Sequence, residues 1–453
     1  MQVGEKQLIR SLGAWRRPGL SLSSALAASI RQAVLDGRLR PGSRLPAERV
    51  LAKALGVSRG TVTSALAALR DTGWVHTRHG SASTVCLPLG APERIAPLSA
   101  SGLSGSIDLR RAVPAAPSRY YLAAAQRAFA QADPVLAQDG EPGAGLPCLR
   151  VFIARHYSSQ GLATRPEQIL VTSGSRAALA LLAAHLRPRV TAVEIPTYFD
   201  ALHVLRGSGT RLVGCGVSTQ GWDIDQLGDA FFAARGGLAY LVPDFHNPTG
   251  ALMDESTREV VAQLASLHGV SVIVDETLRD LDLREPPQPL SRIRGSILIA
   301  SASKTVWAGL RVGWIRGPAS LVDAMSRHYL FAAVSAAPLQ QLTALELISH
   351  PEPLLYRRRR ELRTQRDHLA RLLGDDPRWC FTIPPGGLAL WLYLTRHRAD
   401  VLTDAARAQG LDLAPGPRFA ADNTLTHHLR VPYTPPLDTL DRIADVLSAL
   451  TKH

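Results

Sequence analysis

The sequence predicts a multidomain chain. A basic, all-α N-terminal module closed by a two-stranded ribbon precedes a large α/β unit with a mostly parallel sheet, which ends in a small α+β part. Three observations carry this expectation. At 453 residues the chain is too long for one ordinary core. Its formal charge of +13 is unevenly placed, with 13 Lys+Arg against 4 Asp+Glu in residues 1 to 86. Beyond about residue 119, short apolar runs alternate with amphipathic stretches, the pattern of strands and covering helices.

The N-terminal module is read in order. In LSLSSALAASIRQAVLD, Leu22, Leu26, Ile30 and Val34 lie four apart and predict an amphipathic helix ending near Gly37. Pro46 suits a first helical position, and AERVLAKAL then carries Val50, Leu51, Ala54 and Leu55 inward until Gly56. Ser58 is placed to cap a third helix, RGTVTSALAALRDT, with Val62, Leu66 and Leu69 toward the core. After Gly73, WVHTRHGSASTV alternates around His79-Gly80 as a two-stranded wing would.

The remaining segments divide the chain into 1–86, a Pro, Ser, Gly and Ala-rich linker over 87–118, and an effector unit over 119–453. Its large part is expected at about 119–330 and its small C-terminal part at about 360–453. QILVT, AVEI, LAYLV, VSVIV and SILIA read as buried strands. No apolar run is long enough to cross a bilayer, and the charged start MQVGEKQLIR lacks the apolar stretch of a secretory signal, so a cytoplasmic location is expected. Cys86, Cys148, Cys215 and Cys380 form no CxxC pair and are read as reduced thiols; no metal site is expected.

Concentrated positive charge attracts phosphate backbones, although a solvated basic face has the same composition. Within this segment, GRLRPGSRLPAERVLAKALGVSRGTVTSALAALRDTGWVHTRHG resembles the winged helix-turn-helix DNA-binding domain of the GntR family. The resemblance implies a double-stranded DNA operator as partner, with Arg49, Ser58, Arg59, Thr61 and Thr63 near phosphates and base edges and His79 and Gly80 leading the wing into the minor groove. Arg44 joins these as a basic residue of the same module. Chemistry agrees for Arg59, whose guanidinium at the start of a recognition helix matches a guanine edge, and for Ser58 and Thr61 beside phosphate oxygens. Isolated arginines are also commonly solvated, which stays open for Arg44, Arg49 and Arg59.

The stretch SASKTVWAGLRVGWIRG places Lys304 after an expected strand and Arg311 seven residues later. Pyridoxal 5'-phosphate needs an amine for its aldehyde, hydroxyls and a guanidinium for its phosphate, and a carboxylate facing its pyridine nitrogen. Lys304, Ser301, Ser303, Arg311 and Asp275 supply those groups. In TSGSRAAL, Gly174, Ser175 and Arg176 open a helix whose N–H groups suit phosphate. Asn247 in HNPTG is placed for the cofactor's O3', and Tyr198 offers a ring to stack on the pyridine. From about Asp139 onward the chain resembles fold-type I aminotransferases, and with its front it is similar to the MocR subfamily of GntR regulators. That resemblance implies Lys304 as the Schiff-base lysine, Asp275 as the pyridine partner, Asn247 as the O3' ligand, Arg311 with Ser301 as phosphate ligands and Arg430 of HHLRVPYT as the clamp for an effector α-carboxylate; an ion-pair role for Arg430 stays open. It also implies a homodimer and an amine or amino acid effector. The chain departs from the pattern twice. Thr277 or Leu278 stands where many relatives have a tyrosine for O3', and Gln138-Asp139-Gly140 replaces an aromatic that reaches the phosphate across a dimer. The expected function is a PLP-dependent transcription regulator that senses PLP or an amino compound. The alternatives are an aminotransferase that turns over with a DNA-binding appendage, and an aminotransferase fold serving only as a dimerisation platform.

Overall fold

A computed structural model of the chain describes residues 3–16, 20–77, 83–87, 106–140, 143–349, 351–374 and 376–451. The N-terminal module holds four helices, α1 (Glu5–Leu12), α2 (Leu22–Leu35), α3 (Glu48–Leu55) and α4 (Arg59–Asp71), and a ribbon of β1 (Val75–His76) antiparallel to β2 (Thr84–Val85). The expected helices and ribbon are present; α1 is an addition, an eight-residue helix that buries Leu8 and Leu12 in the same core. The buried stripe of α2 is Ala25, Leu26, Ile30, Ala33 and Val34, while Leu22 is 45% exposed. A strict four-residue spacing drifts off a 3.6-residue helix, and the small alanines take the inner positions. Pro46 is not the first helical residue: α3 begins at Glu48 after Ala47. The residue before Pro46, Leu45, is buried and donates its N–H to the Ser83 carbonyl, so it belongs to the ribbon and is not available as a helix cap. Gly56 ends α3 at φ +63, a conformation glycine adopts without Cβ strain.

Residues 106–117, part of the expected linker, are built into the effector unit. β3 (Ile107–Asp108) pairs in parallel with β14 (Leu411–Asp412), and Leu109 and Ala112 are buried in the C-terminal core. A two-residue strand has no periodicity to read; its pairing partner lies some 300 residues away in the chain.

The large sheet contains β4 (Ile169–Thr172), β5 (Val190–Ile195), β6 (Arg211–Ser218), β7 (Gly221–Trp222), β8 (Leu238–Leu241), β9 (Ser271–Asp275), β10 (Ile297–Ser301) and β11 (Gly313–Arg316), in the order β4-β11-β10-β9-β8-β5-β6-β7. The run β10-β9-β8-β5-β6 is parallel, and β11 and β7 pair antiparallel. Helices cover both faces, which is why β4, β8 and β10 are buried along their whole length. A second sheet, β12 (Trp379–Cys380), β13 (Ala389–Leu394), β16 (His428–Pro432) and β15 (Ala414–Pro415) in that order, packs with helices Pro351–Leu373, Ala399–Ala408 and Leu437–Leu450.

The N-terminal module is seated on both parts of the effector unit. The Leu35 carbonyl at the end of α2 accepts the N–H groups of Leu425 and Thr426. Arg40 is 8% exposed and donates from Nε to Gln226 Oε1 at 3.0 Å. A Cβ at Gly214 on β6 would lie 2.1 Å from Arg40 Nη1, so only glycine leaves room for that guanidinium. Arg10 and Asp225 form an exposed ion pair at 2.8 Å.

Candidate functional site

A cavity of about 520 Å³ lies where the carboxyl ends of β8, β9 and β10 meet the segment 110–113 and β16. Open α/β sheets bind ligands at such strand ends, and the volume suits a cofactor with a small ligand. Its lining brings together Gly174, Ser175, Arg176, Tyr198, Asn247, Asp275, Ser303, Lys304, Arg311 and Arg430, residues drawn from widely separated stretches of sequence. Ser301 lies just beneath, its hydroxyl 2.6 Å from that of Ser303.

Lys304 follows β10 in a tight turn, and its Nζ donates to the Ala112 carbonyl at 2.9 Å. Burial, together with the Arg430 charge, pulls its ammonium down to about 8, against the opposing pull of Asp200 and Asp275. The free amine is the nucleophile for an aldehyde, so the sign is clear: loading of apo-protein with PLP should quicken about tenfold per pH unit up to about pH 8 and then level off, whereas an ordinary lysine would keep climbing to about pH 10. Stopped-flow absorbance across pH 6 to 10 checks this.

Asp275 ends β9, buried, and accepts the Tyr240 hydroxyl at 2.9 Å and the Thr277 N–H at 2.9 Å. Burial raises its carboxyl, and those hydrogen bonds and Lys304 oppose the rise. Tyr198 points its hydroxyl at Asp200, 2.7 Å away, and Asp200 also takes Arg176 at 3.3 Å. Asn247 is held in a buried turn: His246 Nδ1 lies 2.8 Å from Thr249 Oγ1, and the His246 N–H donates to the Ala251 carbonyl. Arg430, on β16, is 1% exposed. Its Nη1 donates to Asn247 Oδ1 at 3.3 Å and its Nη2 to the Arg110 carbonyl at 2.6 Å; its Nε is buried and finds no hydrogen-bond partner among the described residues. The Phe419 ring lies 4.8 Å from the guanidinium, and burial lowers the pKa of Arg430 only to about 10, so it stays charged at neutral pH.

These residues fit pyridoxal 5'-phosphate. Gly174, at φ +116 before helix Ser175–Leu186, leaves a cradle that a Cβ would fill, 3.7 Å from Arg311 Nη1 and 3.9 Å from Ser301 Oγ. Backbone N–H groups, a guanidinium and serine hydroxyls thus converge where a phosphate dianion is stabilised.

On the N-terminal module, Ser58 caps α4 by accepting the Thr61 N–H at 3.1 Å. Arg59 is open, its side chain 75% exposed and 4.0 Å from Glu48, and Thr63 donates to Glu48 at 2.7 Å. Arg44 and Arg49 are exposed, Arg44 beside the ribbon where it bridges Thr84. His79 and Gly80 lie outside the described residues.

Residues 22–85 match the family model of bacterial regulatory proteins of the gntR family, and residues 102–447 match aminotransferase class I and II. The HTH-type transcriptional regulator YisV of Bacillus subtilis is 30% identical, over 83% of this chain and 85% of its own. The chain belongs to the MocR subfamily of GntR regulators. The probable rhizopine catabolism regulatory protein MocR of Rhizobium meliloti is 27% identical over 86% of this chain and 85% of its own. LysN, the alpha-aminoadipate aminotransferase of Thermus thermophilus, solved with N-(5'-phosphopyridoxyl)-L-leucine, superposes with a TM-score of 0.69 at 25% identity, over 76% of this chain and 93% of its own. The fold and these neighbours imply pyridoxal phosphate as this MocR-type regulator's cofactor.

Sequence reading missed several contributors to the pocket, among them Arg110 and Arg111 of the segment read as a linker. Tyr240 is a hydroxyl inside the apolar strand LAYLV, Asp200 stands two residues after Tyr198, and Ala112 presents only its carbonyl. Tyrosine in a buried strand was the signal for Tyr240, because a buried phenol needs a partner; a carbonyl carries none. At the two departures from the family pattern, Thr277 and Leu278 both line the cavity, while Gln138, Asp139 and Gly140 lie exposed, outside the cavity lining. If the exposed Arg59 at the start of α4 reads a base edge, Arg59→Ala should weaken specific DNA affinity by about tenfold to a hundredfold, the range of one lost bidentate base contact, with little change in non-specific binding. Fluorescence anisotropy on specific and scrambled duplexes measures both.

Proposed function

We propose that this regulator senses an amino compound at its PLP site and passes the result to its DNA-binding module. PLP bound there supplies an aldehyde that condenses with amines and a ring that draws electrons from them. The chain's own residues would do the rest: Lys304 would present the amine, Arg311 with Ser301, Ser303, Ser175 and the Gly174 turn would hold the phosphate, Asp275 would serve the pyridine nitrogen, Asn247 O3' and Tyr198 the ring, with Arg176 and Asp200 beside it, and Arg430 would take a carboxylate.

One observation carries the sensing reading. Arg430 sits in the cavity on β16, and the same backbone, four and five residues earlier, gives the N–H groups of Thr426 and Leu425 to the Leu35 carbonyl of α2. A ligand that draws Arg430 toward itself therefore pulls on a strand whose preceding segment is bonded to the DNA-binding module. A ligand regulates only through unequal affinity for two arrangements, and this strand gives the two sites a shared element. The working form is a cytoplasmic homodimer on paired half-sites, since two modules reach the specificity that one lacks. Arg44, Arg49, Ser58, Arg59, Thr61 and Thr63 would meet the DNA, with His79 and Gly80 at the wing.

The test uses the full chain and a duplex it selects from a random library. Affinity is measured with and without PLP, then across a panel of amines and amino acids. A shift of tenfold or more with PLP or one of the panel is expected; unchanged affinity throughout would sink the reading. The second reading, an aminotransferase that turns over, is favoured by the depressed Lys304 amine, which suits proton transfer near neutral pH. With a second keto acid supplied as amino acceptor, sustained keto acid formation beyond one equivalent per site would establish it.

A further inference from the structure

The cavity holds more positive charge than the cofactor and one carboxylate require. Its lining contains Arg110, Arg111, Arg176, Lys304, Arg311 and Arg430 against Asp200 and Asp275. Arg110 is neutralised by a two-pronged pair with Asp108, both contacts at 2.9 Å, and Arg176 by Asp200. On the reading given above, Arg311 takes the phosphate, Asp275 the pyridine nitrogen, Lys304 the aldehyde and Arg430 the α-carboxylate. Arg111 is left over. Its guanidinium has no hydrogen bond or ion pair among the described residues, and it is exposed while lining the cavity, which sets it at the rim.

Its position along the chain is equally telling. The Arg110 carbonyl accepts Arg430 and the Ala112 carbonyl accepts Lys304, so Arg111 stands on the one peptide span between the carboxylate clamp and the reactive amine. An amino acid clamped at its carboxylate by Arg430 and joined at its nitrogen near Lys304 would be held at two points of this same span, and Arg111 is the charged side chain of the lining that stands between those points. Arg111 stands close enough for its charge to act on Lys304 and Arg311 as well as on Asp108.

We propose that Arg111 selects the effector: the regulator's ligand is an amino acid whose side chain carries a second acidic group, bound by Arg111. A guanidinium suits this task because it pairs with a carboxylate through two parallel N–H donors. The inference rests on the sensing reading, and the experiment separates the two. The PLP-loaded full chain is titrated with L-glutamate and L-2-aminoadipate against the neutral L-glutamine and L-norleucine, following the cofactor's absorbance band. Wild type should respond to at least one of the two acidic ligands at concentrations at least tenfold below the neutral ones. Arg111→Gln should abolish that preference with PLP loading intact, and Arg111→Lys should restore part of it. Equal responses in wild type, a preference that survives Arg111→Gln, or loss of PLP loading in that variant, which would assign Arg111 to the phosphate, each overturn the proposal. A wild type whose band responds to no amine at all fails the sensing reading itself, and the proposal falls with it.

Discussion

Lys304→Ala should abolish the aldimine absorbance band of PLP-loaded protein, and borohydride should then fix no cofactor to the chain. The side chain is the single amine in the cavity lining among the described residues, with its Nζ set against the Ala112 carbonyl and its ammonium weakened to about 8. Alanine removes the covalent attachment altogether while leaving the phosphate cradle of Gly174, Ser301 and Arg311 in place. The variant should therefore still bind PLP reversibly, with the spectrum of the free aldehyde. Loss of regulation by amines with DNA binding retained would tie sensing to that lysine. A band that persists in Lys304→Ala and is fixed elsewhere by reduction would refute the assignment.

Arg430→Gln should cost about a hundredfold in response to amino acids, on the order of 3 kcal/mol for a two-pronged contact to a carboxylate, with amines lacking a carboxylate unaffected. The geometry explains why lysine should not rescue it. The guanidinium is spread between Asn247, the Arg110 carbonyl and the face of Phe419, with a buried Nε lacking a partner among the described residues, and a point-charge ammonium cannot span those positions. Removing this cation also lifts part of the pressure on Lys304, so the pH at which PLP loading levels off should move upward from about 8. An unmoved pH profile together with an unchanged amino acid response would show that Arg430 serves only the packing of β16.

Much of the site was legible because its residues sit where local rules place them. Lys304 and Asp275 stand at or just past the ends of apolar strands, Gly174 opens a helix, and Asn247 stands in a Pro-Gly turn. The helix-turn-helix was legible for the same reason: Ser58 caps its own helix and Gly56 closes the one before. Signals of this kind lie within a few residues of each other, so the chain need not be folded for them to be read.

The sequence by itself thus determined a GntR-type head, an aminotransferase-type body and the chemical groups for pyridoxal phosphate. Only the tertiary structure decided that 106–117 is no linker but a strand and cavity wall, that Tyr240 meets Asp275, that Arg111 stands at the cavity rim with no ion pair among the described residues, and that the segment leading into Arg430's strand is bonded to α2. The physical reason is range. Capping, turn chemistry and periodicity act over a few residues, whereas these contacts join positions tens to hundreds of residues apart through backbone carbonyls and buried side chains that leave no pattern in the chain.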